Sequence, residues 1–153
     1  MNREAEIQEI IDRESRGYEE ENADLLLSVY HPDMVWAWPP TPTSHDPMDW
    51  VLRMGRYNEA RWRVLIERFF ATHTMIHNHR VTRKIVVSEE GDGAFAVVDI
   101  DTLWRREAEG DTAWHDGSTE EHVVGRACKI YTLVGGEWKM LYQPGTMQYP
   151  ANS

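Results

Sequence analysis

From Met75 onward the chain reads as strand after strand, each closed by a glycine turn, and that pattern limits the fold more than any other feature. Met75 to Ser88 is rich in β-branched residues, which favour a pleated surface. Glu89-Glu90-Gly91-Asp92-Gly93 has the composition of a hairpin turn, and Phe95 to Arg105 returns as the next strand. His122 to Val134 and Glu137 to Gln143 form a second pair across Gly135-Gly136. Helical patterning occupies the first half. Helices first and hairpins afterwards imply an α+β domain. The expected object is one strongly curved, mostly antiparallel sheet with the N-terminal helices packed on its concave face. Such a cone leaves a cavity at its open end, where small ligands bind. The 153 residues suffice for one such domain, and no internal repeat suggests a second.

The helical half has its own punctuation. Ile7, Ile10, Ile11 and Tyr18 recur at helical spacing among acidic residues, with Gly17 expected to end or weaken the helix. Asn22 is an N-cap for a second helix carrying Leu25, Leu26, Val29 and Tyr30, which His31-Pro32-Asp33 should stop. Met34 to Trp38 reads as a short strand, and Pro39 to Thr43 as a loop. Asp46-Pro47-Met48-Asp49 signals a helix start, and patterning runs on to about Ala71, with Gly55 as a break. Val64, Leu65, Ile66, Phe69 and Phe70 supply its apolar face, and five arginines a basic side that could complement the acidic first helix. Residues 106–120 are polar and acidic, as a long loop would be.

Charge narrows the function. Twenty-six acids against sixteen bases leave a formal charge of −10, the opposite of what a nucleic-acid or anionic-membrane binder needs. No apolar run approaches a membrane span and no signal peptide is evident, so a cytoplasmic location is expected. The single cysteine, Cys128, cannot pair internally and has no evident base to activate it. No phosphate-binding loop, dinucleotide fingerprint, nucleophile elbow or paired C-x-x-C is present, and no cofactor is expected.

Three segments resemble one superfamily. Asn22 to Leu26, followed by Tyr30 to Trp36, looks like a helix leading through Asp33 and Trp36 into a first strand. Gly91 to Val98 resembles the hairpin between middle strands, and Gly125 to Tyr131 followed by Gly136-Glu137-Trp138-Lys139-Met140 resembles a last hairpin with a G-x-W-K signature. In order and spacing these are similar to the SnoaL-like, nuclear transport factor 2-like superfamily. Its members include polyketide cyclases, ketosteroid isomerases, scytalone dehydratase and a kinase association domain. The resemblance implies the α+β cone and a homodimer formed through the sheet. It leaves function open, because this fold hosts enzymes and pure binding modules alike. Ketosteroid isomerase-like members carry a base carboxylate just before a proline at the end of the first strand. The matching position here is Trp38, which cannot abstract a proton.

The residues offer several chemistries. Trp36, Trp38 and Trp104, of seven tryptophans, are candidate walls for a flat ligand, or else core or dimer contacts. Asp99 and Asp101 share one strand face. Buried, they could divide acid and base roles; solvated, they would pair with Arg or Lys across the ladder. His77 and His79 also share a face, as acid–base groups, as plain polar residues, or as metal ligands if a third arrived from His31, His122, Asp99 or Asp101. Arg126 is a candidate buried cation or a surface ion-pair partner, and Tyr131, Tyr142 and Gln143 are potential hydrogen-bonding groups for a ligand oxygen. The reading adopted is a protein for a small hydrophobic, aromatic or polycyclic molecule. It either binds that molecule or performs cofactor-independent isomerase, dehydratase or cyclase chemistry on it. His79, Asp101 and Arg126 are the expected catalytic groups; Trp36, Trp38, Trp104, Tyr131 and Gln143 are the expected ligand contacts; no metal is expected. The alternative is a non-catalytic assembly or ligand-binding module.

Overall fold

A computed structural model describes residues 2–37, 46–107, 119–143 and 145–148. Helix α1 spans Arg3–Glu19. Asn2 caps it by accepting the Ala5 N–H, and Glu4 and Glu6 sit in the first turn, where carboxylates complement the helix dipole. Its buried stripe is Ile7, Ile10, Ile11, Glu14 and Gly17. Gly17 does not end the helix. A Cβ there would lie 3.0 Å from both Cα and Cβ of Leu26, so glycine lets α1 press against α2, Ala23–Leu27. Asn22 caps α2 as expected.

Strand β1 begins earlier than the sequence suggests, at Tyr30–Val35, and pairs in parallel with a later strand. Pro32 is tolerated because β1 lies at the sheet edge, where one row of donors needs no partner. Trp36 follows the strand, and Trp38 lies outside the described residues. The long helix expected from Asp46 is broken in two. Asp46 does cap a turn by accepting the Met48 N–H, but that turn is a 3-10 helix of only three residues, Pro47–Asp49. Trp50 is already extended, and Gly55 adopts a positive φ of 64°. The Tyr57 N–H donates to the Met34 carbonyl at 2.7 Å and ties this connection to β1. Helix α3 then starts afresh at Glu59–Thr72 under its own cap, Asn58. It buries Trp62, Ile66 and Phe70, one turn apart, whereas Val64 points outward at 53% exposure. Arg63 pairs with Asp24 of α2 rather than with α1.

The remaining strands are β2 (His73–Val87), β3 (Gly93–Arg106), β4 (Glu120–Val134), β5 (Glu137–Tyr142) and β6 (Gly145–Gln148). The sheet order is β1-β5-β4-β3-β2, with β6 also pairing β4. All pairings are antiparallel except β1 with β5, so the sheet is mixed. Both expected hairpins form. Ser88 Oγ accepts the N–H groups of Gly91, Asp92 and Gly93, and Gly135 and Gly136 take φ values of 57° and 83°, as a two-residue turn of the twist-matched type requires.

Burial alternates along β3 and decides which face holds the core. Ala94, Ala96, Val98, Ile100, Thr102 and Trp104 point toward the helices. Asp99 and Asp101 therefore point outward. On β4 the same inner row comprises Val123, Ala127, Lys129 and Tyr131. A register shift between Met75 and His77 changes the parity of β2, so Asn78 and Arg80 face inward while His77 and His79 face outward with Asp101. No described helix is long and apolar enough to cross a membrane.

Candidate functional site

Between the helices and the inner sheet face lies a cavity with aromatic walls and one charged wall. Trp36, Phe69, Phe70 and Trp104 line it, with Tyr18 and Tyr30. The rings meet mainly edge to face: Tyr18 against Trp104 at 6.3 Å and Phe69 against Trp104 at 4.8 Å, the geometry that ring quadrupoles favour.

The charged wall is built from three elements. Glu14 extends from the buried stripe of α1, Arg80 from β2 and Lys129 from β4. Glu14 Oε1 accepts from Lys129 Nζ at 2.7 Å and from Arg80 Nη1 at 2.9 Å. Lys129 Nζ also donates to Gln143 Oε1 at 2.8 Å. Glu14 is 1% exposed and Lys129 0%. Removing these charges from water is costly, and the arrangement is tolerable only because they are paired and hydrogen-bonded. A second layer holds Arg80: its Nε donates to Asn78 Oδ1, which also accepts from Thr102 Oγ1, while Asn78 Nδ2 donates to Ser15 Oγ. The guanidinium lies 5.3 Å from the centre of the Tyr18 ring.

This wall is not saturated. Glu14 Oε2 has no hydrogen-bond partner among the described residues. The Tyr30 hydroxyl is buried without a partner in good geometry, although the Tyr18 hydroxyl is close enough to perturb it. Buried polar atoms are normally satisfied, so both are positions for a ligand or solvent atom.

Electrostatics follow from burial and charge together. Burial pushes the Glu14 carboxyl upward, but Lys129 and Arg80 outweigh it and hold the group below the ordinary carboxylate range. Burial pulls the Lys129 ammonium down; Glu14 offsets this only in part, and the group ends below the usual lysine value. Desolvation raises the hydroxyls of Tyr18 and Tyr30, which stay protonated as donors.

The expected ligand contacts divide. Trp36, Trp104 and Gln143 line the cavity. Tyr131 is buried in the core close to Glu14 and is not a lining residue. Trp38 is outside the described residues. The expected catalytic groups His79, Asp101 and Arg126 do not line the cavity; they stand on the opposite face of the sheet. There Asp99 accepts from Arg126 Nε at 2.7 Å and from Arg83 Nε at 2.6 Å, the cross-ladder pairing of a solvated face. The two guanidinium groups hold the Asp99 carboxyl well below its usual range. Asp101 meets His77 and His122, and His79 stacks on His77 with ring centres 4.8 Å apart.

The charged wall contains residues that the sequence reading passed over. Glu14 was detectable, since it falls on the same helical stripe as Ile7, Ile10 and Ile11. Lys129 alternates with the apolar Ala127 and Tyr131 on the inward row of β4, which also carries Glu121. Arg80 had no such signal, because the irregularity in β2 reverses which residues face inward.

No family model matches the chain, and no curated protein does. Solved structures do. A conserved protein from Planctomyces limnophilus is similar at a TM-score of 0.68 and 14% identity, covering 96% of this chain and 97% of that one. A ketosteroid isomerase-like protein from Erwinia carotovora atroseptica gives a TM-score of 0.65 at 12% identity, with 97% and 96% covered. A type 2 hexachlorocyclohexane dehydrochlorinase gives 0.61 at 14% identity, with 98% and 90% covered. At these identities the likeness is one of fold, and the fold of this chain is that of the nuclear transport factor 2-like, SnoaL-like proteins.

Proposed function

We propose that the inner cavity binds a small hydrophobic, aromatic or polycyclic molecule bearing a carbonyl or hydroxyl, and moves a proton on it without a cofactor. The observation that carries this reading is the buried Glu14–Lys129–Arg80 wall facing a cavity lined mainly by aromatic and aliphatic side chains. Aromatic walls supply affinity for a flat body, and the charged wall fixes its polar end. Burial lowers the Lys129 pKa and so favours the neutral amine that a general base requires. Lys129 takes a proton from the carbon next to a bound carbonyl. The C–H electron pair passes into the carbonyl as an enolate, whose oxygen Arg80 stabilises. Returning the proton elsewhere is isomerisation; expelling an adjacent leaving group is elimination. These are the reaction types expected from the sequence, now assigned to Glu14, Lys129 and Arg80.

A second reading, a binding module without turnover, is favoured by one observation. Lys129 already satisfies Glu14 and Gln143, so the wall could serve only to orient a ligand. One experiment separates the two. The chain is titrated with 1-tetralone, a bicyclic aromatic ketone, by tryptophan fluorescence, and exchange of its α-hydrogens in D2O is followed by NMR. Proton-transfer chemistry gives saturable quenching and protein-dependent exchange that falls about a hundredfold or more in Lys129→Met. Saturable quenching with exchange at the buffer rate selects the binding module. No quenching at all rejects the ligand class.

A further inference from the structure

The sheet face opposite the cavity carries a second constellation. His77 on β2 and His122 on β4 both pair with Leu103 of β3, so they flank it on one rung. Asp101 lies two residues back along β3 on the same face. Strands are spaced about 4.8 Å apart, which brings both imidazoles within reach of the carboxylate between them. His77 Nε2 and His122 Nε2 each meet the same atom, Asp101 Oδ1, at 2.7 Å. All three ligand atoms lie within 4.8 Å of one another.

We propose that His77, Asp101 and His122 form a binding site for a divalent first-row transition ion, with zinc as its reference occupant. Three lines support it. Tetrahedral zinc at its usual bond lengths separates neighbouring ligand atoms by about 3.3 Å, a spacing this trio brackets and reaches by side-chain rotation alone. The charge suits a dication, since Arg83 and Arg126 are engaged by Asp99 and the only partners of Asp101 among the described residues are the two imidazoles. The side chains are only partly exposed, at 29%, 44% and 31%, so the ligands are held by the sheet and one side remains open for water or an exogenous ligand. Two imidazoles and one carboxylate select zinc, cobalt or iron(II) over calcium and magnesium, which demand more oxygen ligands. His79 stacks against His77 and acts as a positioning residue rather than a ligand.

The test uses the full chain after chelator treatment. Zinc is titrated calorimetrically, and cobalt(II) is added as an optical probe. The expected result is one ion per chain, with cobalt d–d bands of the strong, low-coordination kind. Asp101→Asn and His122→Ala each weaken zinc binding at least tenfold, while His31→Ala, on the separate strand β1, changes it less than twofold. Circular dichroism melts confirm that each variant is folded; a variant that is not is replaced by His77→Gln. Absence of saturable binding, or equal affinity in wild type, Asp101→Asn and His122→Ala, overturns the site.

Discussion

Glu14 concentrates more of the molecule's physics than any other residue. It sits on the apolar stripe of α1, where a carboxylate is tolerated only because Lys129 and Arg80 reach it from two strands. Burial raises its pKa and the two cations more than reverse this, so the folded value lies below the unfolded one. The sign of the linkage follows. Between the folded pKa and the free carboxyl value near about 4.3, the unfolded chain binds more protons than the native one, so native stability rises with pH. The contribution is complete above that window and is lost as pH falls through it. In urea titrations from pH 7 to pH 3, wild type should lose stability more steeply below about pH 4.3 than Glu14→Gln, which has no proton to bind there. Equal slopes would mean that Glu14 is not held ionised in the folded state.

At the scale of elements, the contact between α1 and α2 shows what a sequence can and cannot declare. Gly17 looks like a helix terminator, because glycine costs about 1 kcal/mol in a helix interior. The helix nevertheless runs through it to Glu19, since packing against Leu26 outweighs propensity. Gly17→Ala should therefore lower stability despite its better helix propensity. The added methyl meets backbone as well as side-chain atoms of Leu26 at 3.0 Å, and overpacking of that kind costs about 1–3 kcal/mol. A rise in the melting midpoint would show that α2 can shift away. Elements written in local chemistry were legible: the Asn22 cap, the Ser88–Gly93 turn and the Gly135-Gly136 turn all form where their residues place them. Elements set by long-range constraints were not. Asp46-Pro47 announces a helix, but the chain must leave it to tie Tyr57 to Met34, and α3 waits for Asn58. Which residues of β2 face inward was illegible for a related reason: an irregularity between Met75 and His77 inverts the alternation until a second one between Thr82 and Lys84, and period-two patterning carries no mark of where such steps fall.

Across the whole molecule, the sheet separates two sets of titratable groups that one-dimensional spacing cannot tell apart. Inner residues of β3 and β4 border an aromatic-walled cavity, and the charges of Glu14 and Lys129 there are buried and paired. Outer residues form ladders open to water, such as Arg83–Asp99–Arg126. Because Thr102 and Asp101 are neighbours in sequence yet project to opposite faces, the cavity and the histidine cluster share a scaffold without sharing atoms. The two sites should then fail independently. Asp101→Asn should abolish tight zinc binding and leave the 1-tetralone fluorescence titration within about twofold of wild type, since sites with no shared partners are close to additive. Lys129→Met should do the reverse, weakening or silencing the response to the ketone while zinc binding is retained. Measuring both ligands on both variants gives a two-by-two comparison. Loss of both responses in either variant, with the fold intact by circular dichroism, would mean that the sheet couples its faces instead of insulating them.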